Sequence, residues 1–242
     1  MTSGAVVQAD QIPAQPGSGG ASVRQLLDTG AGGPGLVRRL VDVPPGSSFA
    51  GTAREAGELW FVIAGSGRLT GAGDDGPGTP LRPDRAVWVP PGSRFGVRAD
   101  DGDQLRLDIV ALPEDAPPAD PASRDLQTSD FADREIETTG DRQFRVLFGP
   151  GHGCSVATQF VGEIPPGRAP PHSHPYDEVV LILRGTGTAH VGGTEQPLAP
   201  GTCLHLPPGL PHCLENTGSD QLRVLGVFHP ADSPAAKLPP GT

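Results

Sequence analysis

The chain has 242 residues, among them 35 glycines and 29 prolines, and a formal net charge of −10. This acidic balance argues against binding to nucleic acid or to an anionic membrane surface, since both need a basic face. No apolar stretch approaches the length of a membrane-spanning helix, and the first 20 residues lack the features of a secretion signal. Together with only three cysteines, these features predict a cytoplasmic protein.

Short apolar runs between Gly- and Pro-rich turns predict an all-β sandwich or barrel. Residues 1–20 have no periodicity and are expected to form a disordered tail. Residues 21–112 are assigned to an N-terminal domain, in which residues 21–28 form either a short helix or a strand. Further strands are predicted at 36–43, 60–64, 68–71, 86–89, 95–98 and 105–112.

A second strand series follows a segment of linker composition, rich in Pro, Asp and Ala, at residues 113–130. The second domain is assigned to residues 131–230 and opens with a charged segment that permits a short helix at 131–140. Residues 231–242 are Pro-rich and are expected to be a loose tail. Strands are predicted at 144–148, 156–164, 179–183, 188–191, 203–206, 213–215 and 222–228.

The two series indicate an internal duplication. Gly65 aligns with Gly185, and the turn Pro-Pro-Gly occurs at both 44–46 and 165–167. The same alignment pairs Thr52 with His172, Arg54 with His174, Glu58 with Glu178, and Phe95 with His212. Only the second half therefore carries three imidazoles and a carboxylate in this pattern.

Two motifs in the second half contain these polar residues. The first is Gly167-RAPP-His172-Ser-His174-PYD-Glu178-VVLILR-Gly185, and the second is Gly201-TCLHL-Pro207-Pro-Gly209-LP-His212-CLE-Asn216. They resemble the two motifs of the cupin superfamily, here in its two-domain bicupin form. The first motif is one residue short in its first loop, and the second shows no departure. The N-terminal copy departs at three of the four ligand positions, so no metal is assigned to it.

The resemblance implies two tandem double-stranded β-helix barrels, akin to the jelly roll, with a degenerate N-terminal cupin and an intact C-terminal one. It also implies that His172, His174, Glu178 and His212 bind one divalent metal ion in the second barrel. Residues two apart in a strand face the same side, so a strand through this motif would present its three ligands together. Imidazole and carboxylate suit Fe, Mn, Ni, Cu or Zn, and four protein ligands would leave positions open for catalysis.

Three further residues are candidates for catalytic roles, each with a structural role as the alternative: Tyr176 between two ligands, Gln159 on the strand that enters the motif, and His190 on a predicted strand. Asn216 is expected to support a turn or a ligand loop. Cys203 and Cys213 flank one turn and are expected to be free thiols, with a disulfide between them as the alternative.

In the first half, two interpretations stay open for Arg54. It either pairs with Glu58 in a barrel that has lost its metal, or forms a buried bidentate clamp for an anionic ligand.

The four-ligand set is similar to that of quercetin-type dioxygenases and oxalate-degrading cupins. This resemblance implies a metal-dependent enzyme that acts on a small organic molecule, with a dioxygenase-type reaction placed first. A redox-neutral isomerase, cyclase, hydrolase or lyase would use the same ligands, and a non-catalytic metal- or small-molecule-binding cupin is the third reading. The resemblance also implies a homodimer.

Overall fold

The structure is a computed structural model that describes residues 4–30, 35–71, 76–116 and 125–238. The chain divides into two compact units. The N-terminal unit comprises residues 12–133, and the C-terminal unit comprises residues 134–242 together with residues 1–11. Among the described residues, no helix has the length and apolar character that crossing a membrane requires.

The strands form two series that repeat one another along the chain. The first series is β1 (Ala5–Gln8), β2 (Gln15–Pro16), β3 (Ser22–Asp28), β4 (Val37–Val43), β5 (Ser48–Thr52), β6 (Glu58–Ala64), β7 (Gly67–Gly71), β8 (Thr79–Leu81), β9 (Arg85–Val89), β10 (Arg94–Ala99) and β11 (Leu105–Ala111). The second series is β12 (Gln127–Asp130), β13 (Glu137–Thr139), β14 (Arg142–Phe148), β15 (Thr158–Ile164), β16 (Gly167–Arg168), β17 (Asp177–Arg184), β18 (Gly187–Val191), β19 (Thr194–Leu198), β20 (Thr202–Leu206), β21 (His212–Asn216) and β22 (Leu222–His229). A short 3-10 helix, Ala9–Gln11 or Phe131–Asp133, follows the first strand of each series.

Each unit contains one seven-stranded and one four-stranded antiparallel sheet. The strand orders are β12-β9-β6-β11-β4-β3-β2 and β5-β10-β7-β8 in the N-terminal unit. In the C-terminal unit they are β1-β20-β17-β22-β15-β14-β13 and β16-β21-β18-β19. Each strand of one order has its counterpart in the other, which supports the predicted duplication.

The first strand of each series joins the sheet of the other series. Strand β1 pairs with β20, from Ala5 opposite His205 to Gln8 opposite Thr202. Strand β12 pairs in the equivalent way with β9. The segment at the start of the chain is therefore an edge strand of the C-terminal unit.

The core of each unit lies between its two sheets. In the C-terminal unit, inward residues such as Val180 of β17 and Leu204 of β20 pack with Ala189 of β18 and Leu214 of β21. Strands β17 and β20 are buried along most of their length, in agreement with the short apolar runs from which strands were predicted. The all-β, jelly-roll-like fold is confirmed, with one correction: the sheets are open layers and do not close into barrels.

Three segments differ from the sequence-based expectation. Residues 5–8 of the expected tail (1–20) form β1, and residues 127–130 of the expected linker (113–130) form β12. Residues 231–238 of the expected loose tail (231–242) are held by hydrogen bonds to the C-terminal unit. These segments were not predicted because they are fixed by backbone hydrogen bonds to other parts of the fold, and composition does not reveal such bonds. Residues 1–3, 117–124 and 239–242 of these segments lie outside the described residues.

Equivalent glycines end the β6 and β17 strands. Gly65 and Gly185 have φ angles of 75° and 90°, which residues other than glycine rarely adopt. A Cβ atom on Gly185 would also lie 2.9 Å from the Cα of Leu222. Both turns thus require glycine, which explains why these positions anchor the alignment of the two halves.

Candidate metal centre

Three of the predicted ligands converge in the C-terminal unit. Donor atoms of His174, Glu178 and His212 all lie within 4.8 Å of one another. The three residues are buried, with 2%, 6% and 4% of their surface exposed. Carboxylate and imidazole donors gathered in this way form the kind of site that first-row divalent metals prefer.

Backbone pairing positions the two segments that carry the ligands. The backbone N–H groups of His172 and His212 each donate to the carbonyl of the other, at 3.0 and 2.9 Å. The N–H of Gly209 donates to the carbonyl of His174 at 2.9 Å, and Glu178 is the second residue of β17. The expected continuous strand through the motif is therefore wrong, because β17 begins only at Asp177 and His174 precedes it on a loop.

Hydrogen bonds orient both buried imidazoles. The Nδ1 atom of His174 lies 3.1 Å from the carbonyl oxygen of Tyr176, and Nδ1 of His212 lies 2.8 Å from that of Leu210. A carbonyl oxygen only accepts, so Nδ1 carries the proton and donates in each ring. The lone pair of each ring is thereby left on Nε2. This is the arrangement by which metal-binding histidines are usually held.

The residues present fit a metal ion. The Nε2 atom of His174 is buried and makes no hydrogen bond, although it lies only 2.8 Å from Oε2 of Glu178. Because the proton of this ring is on Nδ1, Nε2 of His174 and the carboxylate oxygen of Glu178 are both acceptors and form no hydrogen bond with each other. Two acceptors aimed at a common point are what a shared cation would satisfy.

His172 lies beside this cluster rather than inside it. Its ring centroid is 4.6 Å from that of His212 and 6.4 Å from that of His174. Burial, followed by His212 and the cations Lys237 and Arg142, lowers the pKa of His172 to about 3. Burial also lowers the pKa of His212, against the raising effect of Glu178. Both rings are therefore neutral near pH 7, as metal ligands must be.

A cavity of about 190 Å³ opens onto these side chains and is lined by all four predicted ligands. Apolar side chains such as Phe160, Val180 and Leu206 form part of its wall. The four polar donors thus face a small cavity with a largely apolar wall.

Residues 160–228 match the family described as Cupin domain. This stretch contains all four predicted ligands. Residues 160–228 are a cupin domain.

One curated relative matches part of the chain. Auxin-binding protein 1 from Arabidopsis thaliana is 30% identical over 87 residues, which are 32% of this chain and 44% of that protein. The match thus spans less than half the length of this curated relative.

Two solved structures resemble nearly the whole chain. One is protein Ylba from E. coli, with a TM-score of 0.77, 13% identity and coverage of 96% of this chain and 93% of that chain. The other is oxalate decarboxylase from Bacillus subtilis, a protein with Mn(II) centres, with a TM-score of 0.75, 13% identity and coverage of 98% and 80%. At such identities the likeness concerns the fold alone, and it extends the cupin fold over both units.

Tyr176 lines the cavity of the cupin domain and is buried. Its ring stacks between those of His174 and Phe228, with centroid distances of 4.1 and 3.9 Å. Its hydroxyl donates to the carbonyl of Ser233 at 3.3 Å, and burial, with the charge of Glu178, raises its pKa. Tyr176 is therefore a neutral phenol that supports the ligand His174 from the side.

The other two catalytic candidates lie away from the cavity. Gln159 is fully buried but does not line the cavity. The residues of β15 that line it, Phe160 and Gly162, occupy the alternate positions of the strand, so Gln159 lies on the opposite face. His190 lies 2.7 Å from Glu215 and 3.1 Å from Glu195 and is likewise outside the lining. The structure thus gives neither residue access to the metal site.

The smaller predictions concern turns and thiols. The Asn216 side chain donates to the carbonyls of Ile164 and Asp220, at 2.8 and 2.7 Å, and accepts from the N–H of Gly218. It supports a turn, as predicted. The cysteines Cys154, Cys203 and Cys213 are buried free thiols, so the disulfide alternative is excluded.

The equivalent place in the N-terminal unit is filled. Glu58 accepts hydrogen bonds from Arg39 at 2.7 Å and from the indole of Trp60 at 2.9 Å. Arg54 is exposed, so both interpretations of it are wrong: it neither pairs with Glu58 nor forms a buried clamp. The carboxylate that aligns with Glu178 is thus engaged by other side chains.

Two cations at the metal cavity were missed by the sequence reasoning. Lys237 and Arg142 both line it. Lys237 lies in the expected loose tail, and Arg142 lies two residues before the predicted strand 144–148. The sequence did single out Lys237 in one respect, because it is the only lysine of the chain. Its place in the fold, however, depends on contacts made far away in sequence.

Proposed function

We propose that the C-terminal cupin domain is the active centre of a metal-dependent enzyme that acts on a small organic molecule. His172, His174, Glu178 and His212 are proposed to hold one divalent metal ion. The observation that carries this proposal is the buried donor cluster, with both Nδ1 atoms tied to carbonyls, at the wall of a 190 Å³ cavity. A purely structural cluster would gain nothing from a cavity beside it.

Donor chemistry restricts the metal. Neutral imidazoles with one carboxylate suit Fe, Mn, Ni, Cu and Zn. The Mn(II) centres of the structurally similar oxalate decarboxylase support manganese as the first ion to test. His172 would complete the set from its position 4.6 Å from the His212 ring.

A divalent ion held here would supply Lewis-acid chemistry and, if it is redox-active, dioxygen chemistry. The protein groups have separate roles around it. Glu178 and the imidazoles orient the ion, Tyr176 holds His174 by stacking, and apolar residues such as Phe144 and Phe160 limit the access of water. Apolar walls protect reactive species from side reactions, which favours the dioxygenase-type reaction that the sequence analysis placed first.

A redox-neutral reaction is the second candidate, because the structurally similar oxalate decarboxylase is named for the removal of a carboxyl group. The cations Lys237 and Arg142 at the cavity would stabilise negative charge that develops on a substrate during such a reaction.

Metal content of the purified protein, together with oxygen uptake, tests the proposal. We expect about one equivalent of a transition metal by mass spectrometry, and loss of that metal in a His174→Ala/His212→Ala variant. The matched control is His190→Ala, a partly buried histidine of β18 outside the cavity, which should retain the metal. Absence of metal after reconstitution of wild type would refute the proposal. Oxygen uptake with a substrate then separates the two reaction classes.

We further propose a cytoplasmic location and a homodimer. A cytoplasmic location is favoured by the three buried free thiols, because disulfides are rare in that compartment. A homodimer is expected from the cupin resemblance, and light scattering on the purified protein would test it.

A further inference from the structure

The single lysine of the chain lies at the cavity of the cupin domain. Lys237 is exposed, so its ammonium group is free to meet a ligand that enters. The chain has 18 basic residues, and Lys237 and Arg142 are the two that line this cavity among the residues described. The remainder of the chain is strongly acidic, so these two cations distinguish the cavity from the general surface.

Backbone hydrogen bonds hold the segment that carries Lys237. We call residues 230–238 the C-terminal strap. The Ala231 N–H donates to Val156 at 3.1 Å, the hydroxyl of Thr158 donates to the Asp232 carbonyl at 2.9 Å, and the Leu238 N–H donates to Ser173 at 2.8 Å. The last bond attaches the strap to the residue between His172 and His174. The hydrogen bond of Leu238 therefore places the adjacent Lys237 next to the ligand motif.

Arg142 supplies the second cation. It is the first residue of β14 and is partly buried. Its guanidinium donates to the carbonyl of Leu214 at 2.8 Å, which fixes one end of the group and leaves other N–H donors available.

The charges of the cavity favour an anion. Its described lining contains two carboxylates, Glu178 and Asp141, and the cations Lys237 and Arg142. A bound divalent ion would add two positive charges, which leaves the cavity with a clear positive excess. A cavity of about 190 Å³ is also smaller than the roughly 300–1,000 Å³ typical of ligand pockets, so the ligand is small.

From these observations we infer that Lys237 and Arg142 form a carboxylate-binding site beside the metal centre. The substrate is accordingly a small carboxylic acid, whose carboxylate meets the two cations while a second oxygen donor faces the metal ion. Arg142 suits a carboxylate because its planar fork matches the two oxygens, and Lys237 adds a point charge. This inference names the substrate class of the proposed function and rests on it.

Protection of Lys237 from an amine-acylating reagent tests the site directly. Because the chain has one lysine, peptide mass spectrometry reports its modification apart from that of the N-terminal amine. The probes are glycolate and its uncharged amide, glycolamide, added to Mn(II)-loaded protein. We expect glycolate to slow acylation of Lys237 and glycolamide to leave it unchanged. Equal protection by both probes, or by neither, would overturn the inference.

Calorimetric binding of the same probes gives the second measurement. Lys237→Gln removes the charge, keeps a polar side chain that is one atom shorter, and should weaken glycolate binding about fivefold to tenfold, as expected for one charge-assisted contact at a partly exposed site. Lys237→Arg should restore binding, and Lys237→Glu should weaken it further. The matched control is Arg184→Gln, an exposed cation of the same unit outside the cavity. Unchanged glycolate affinity in Lys237→Gln would overturn the inference.

Metal analysis of the same samples separates the two proposals. If wild type binds manganese but shows no Lys237-dependent preference for glycolate, the carboxylate site is refuted and the metal centre stands. If wild type binds no metal, the preference for glycolate is measured on the metal-free protein. A Lys237-dependent preference there upholds the carboxylate site alone, and its absence refutes both.

Discussion

Phe95 lies opposite Gly51 in the N-terminal unit, just as His212 lies opposite His172 in the C-terminal unit. The register thus equates Gly51, not Thr52, with His172. A Cβ atom on Gly51 would lie 3.0 Å from the Phe95 ring, and this ring also contacts Phe49 and Trp60 at centroid distances of 5.6 and 4.7 Å. An aromatic cluster thus takes the place of imidazoles.

Replacement of Phe95 by alanine should destabilise the N-terminal unit without changing the metal content. Phe95 is 6% exposed, and loss of a buried phenylalanine typically costs about 3–5 kcal/mol through lost burial and the cavity left behind. Chemical unfolding would measure the free-energy loss, and mass spectrometry the metal. Loss of metal in Phe95→Ala would show that the N-terminal unit takes part in metal binding, contrary to our assignment.

Gly226→Ala should weaken metal binding. A Cβ atom at Gly226 would clash with the ring of Phe160 and would lie 3.0 Å from Oε1 of Glu178, so both the cavity wall and a ligand would have to move. Displacement of a group that orients a ligand typically costs about 10–100-fold in metal affinity. Competition with a metal indicator would measure the change. The control is Gly102→Ala, where nothing lies within 4 Å of the added atom, and equal affinities in the two variants would contradict the prediction.

Tyr176→Phe should retain metal binding and fold stability to within about 1.5 kcal/mol, the usual range for one hydrogen bond. It removes only the donor to Ser233 and keeps the stacked ring. Tyr176→Ala should lower both stability and metal affinity, because His174 and Phe228 lose their partner. If Tyr176→Phe abolished turnover with the metal retained, the hydroxyl would have a catalytic role beyond positioning.

The sequence predicted four ligands, His172, His174, Glu178 and His212, from imidazole and carboxylate residues at motif spacing. The structure brings donor atoms of three of them together. Their convergence could not follow from strand parity, since His174 lies on a loop before β17. Other parts of the fold depend on backbone pairing between distant segments, which leaves no local pattern in the sequence. Strand β1 and the C-terminal strap are short, and their partners lie far away along the chain. The failed alignment of Thr52 with His172 has the same cause, because a register shift of one residue is invisible without the facing strand.

Acid should destabilise the N-terminal unit, because protonation of Asp130 on β12 weakens its ion pairs with Arg85 and Arg82. The Arg85 guanidinium, with Arg82, lowers the pKa of Asp130 from 3.8 to about 2. A lowered pKa in the folded state stabilises the protein above the unfolded pKa, and this contribution is lost as the pH falls from about 4 through about 2. Urea unfolding at a series of pH values should therefore show a difference between wild type and Asp130→Asn that shrinks over this range. The exposed Asp103→Asn serves as control, and a constant difference would contradict the prediction.

Removal of residues 1–11 should destabilise the C-terminal unit rather than the N-terminal unit that follows it in sequence. Strand β1 pairs with β20, Val6 packs against the C-terminal core, and the Thr202 hydroxyl donates to Gln8 at 2.8 Å. Without β1, the backbone groups of β20 would become an unpaired sheet edge, which invites association between molecules.

The metal site should respond as well, because β20 also pairs with β17, where Leu206 lies opposite Glu178. Hydrogen exchange should show faster exchange of β20 amides, and metal affinity should fall. A point variant, Val6→Thr, keeps the strand and replaces one methyl by a hydroxyl, so it should reproduce only a small part of the effect. If instead β9 of the N-terminal unit lost protection and β20 did not, the exchange of first strands between the two series would be wrong.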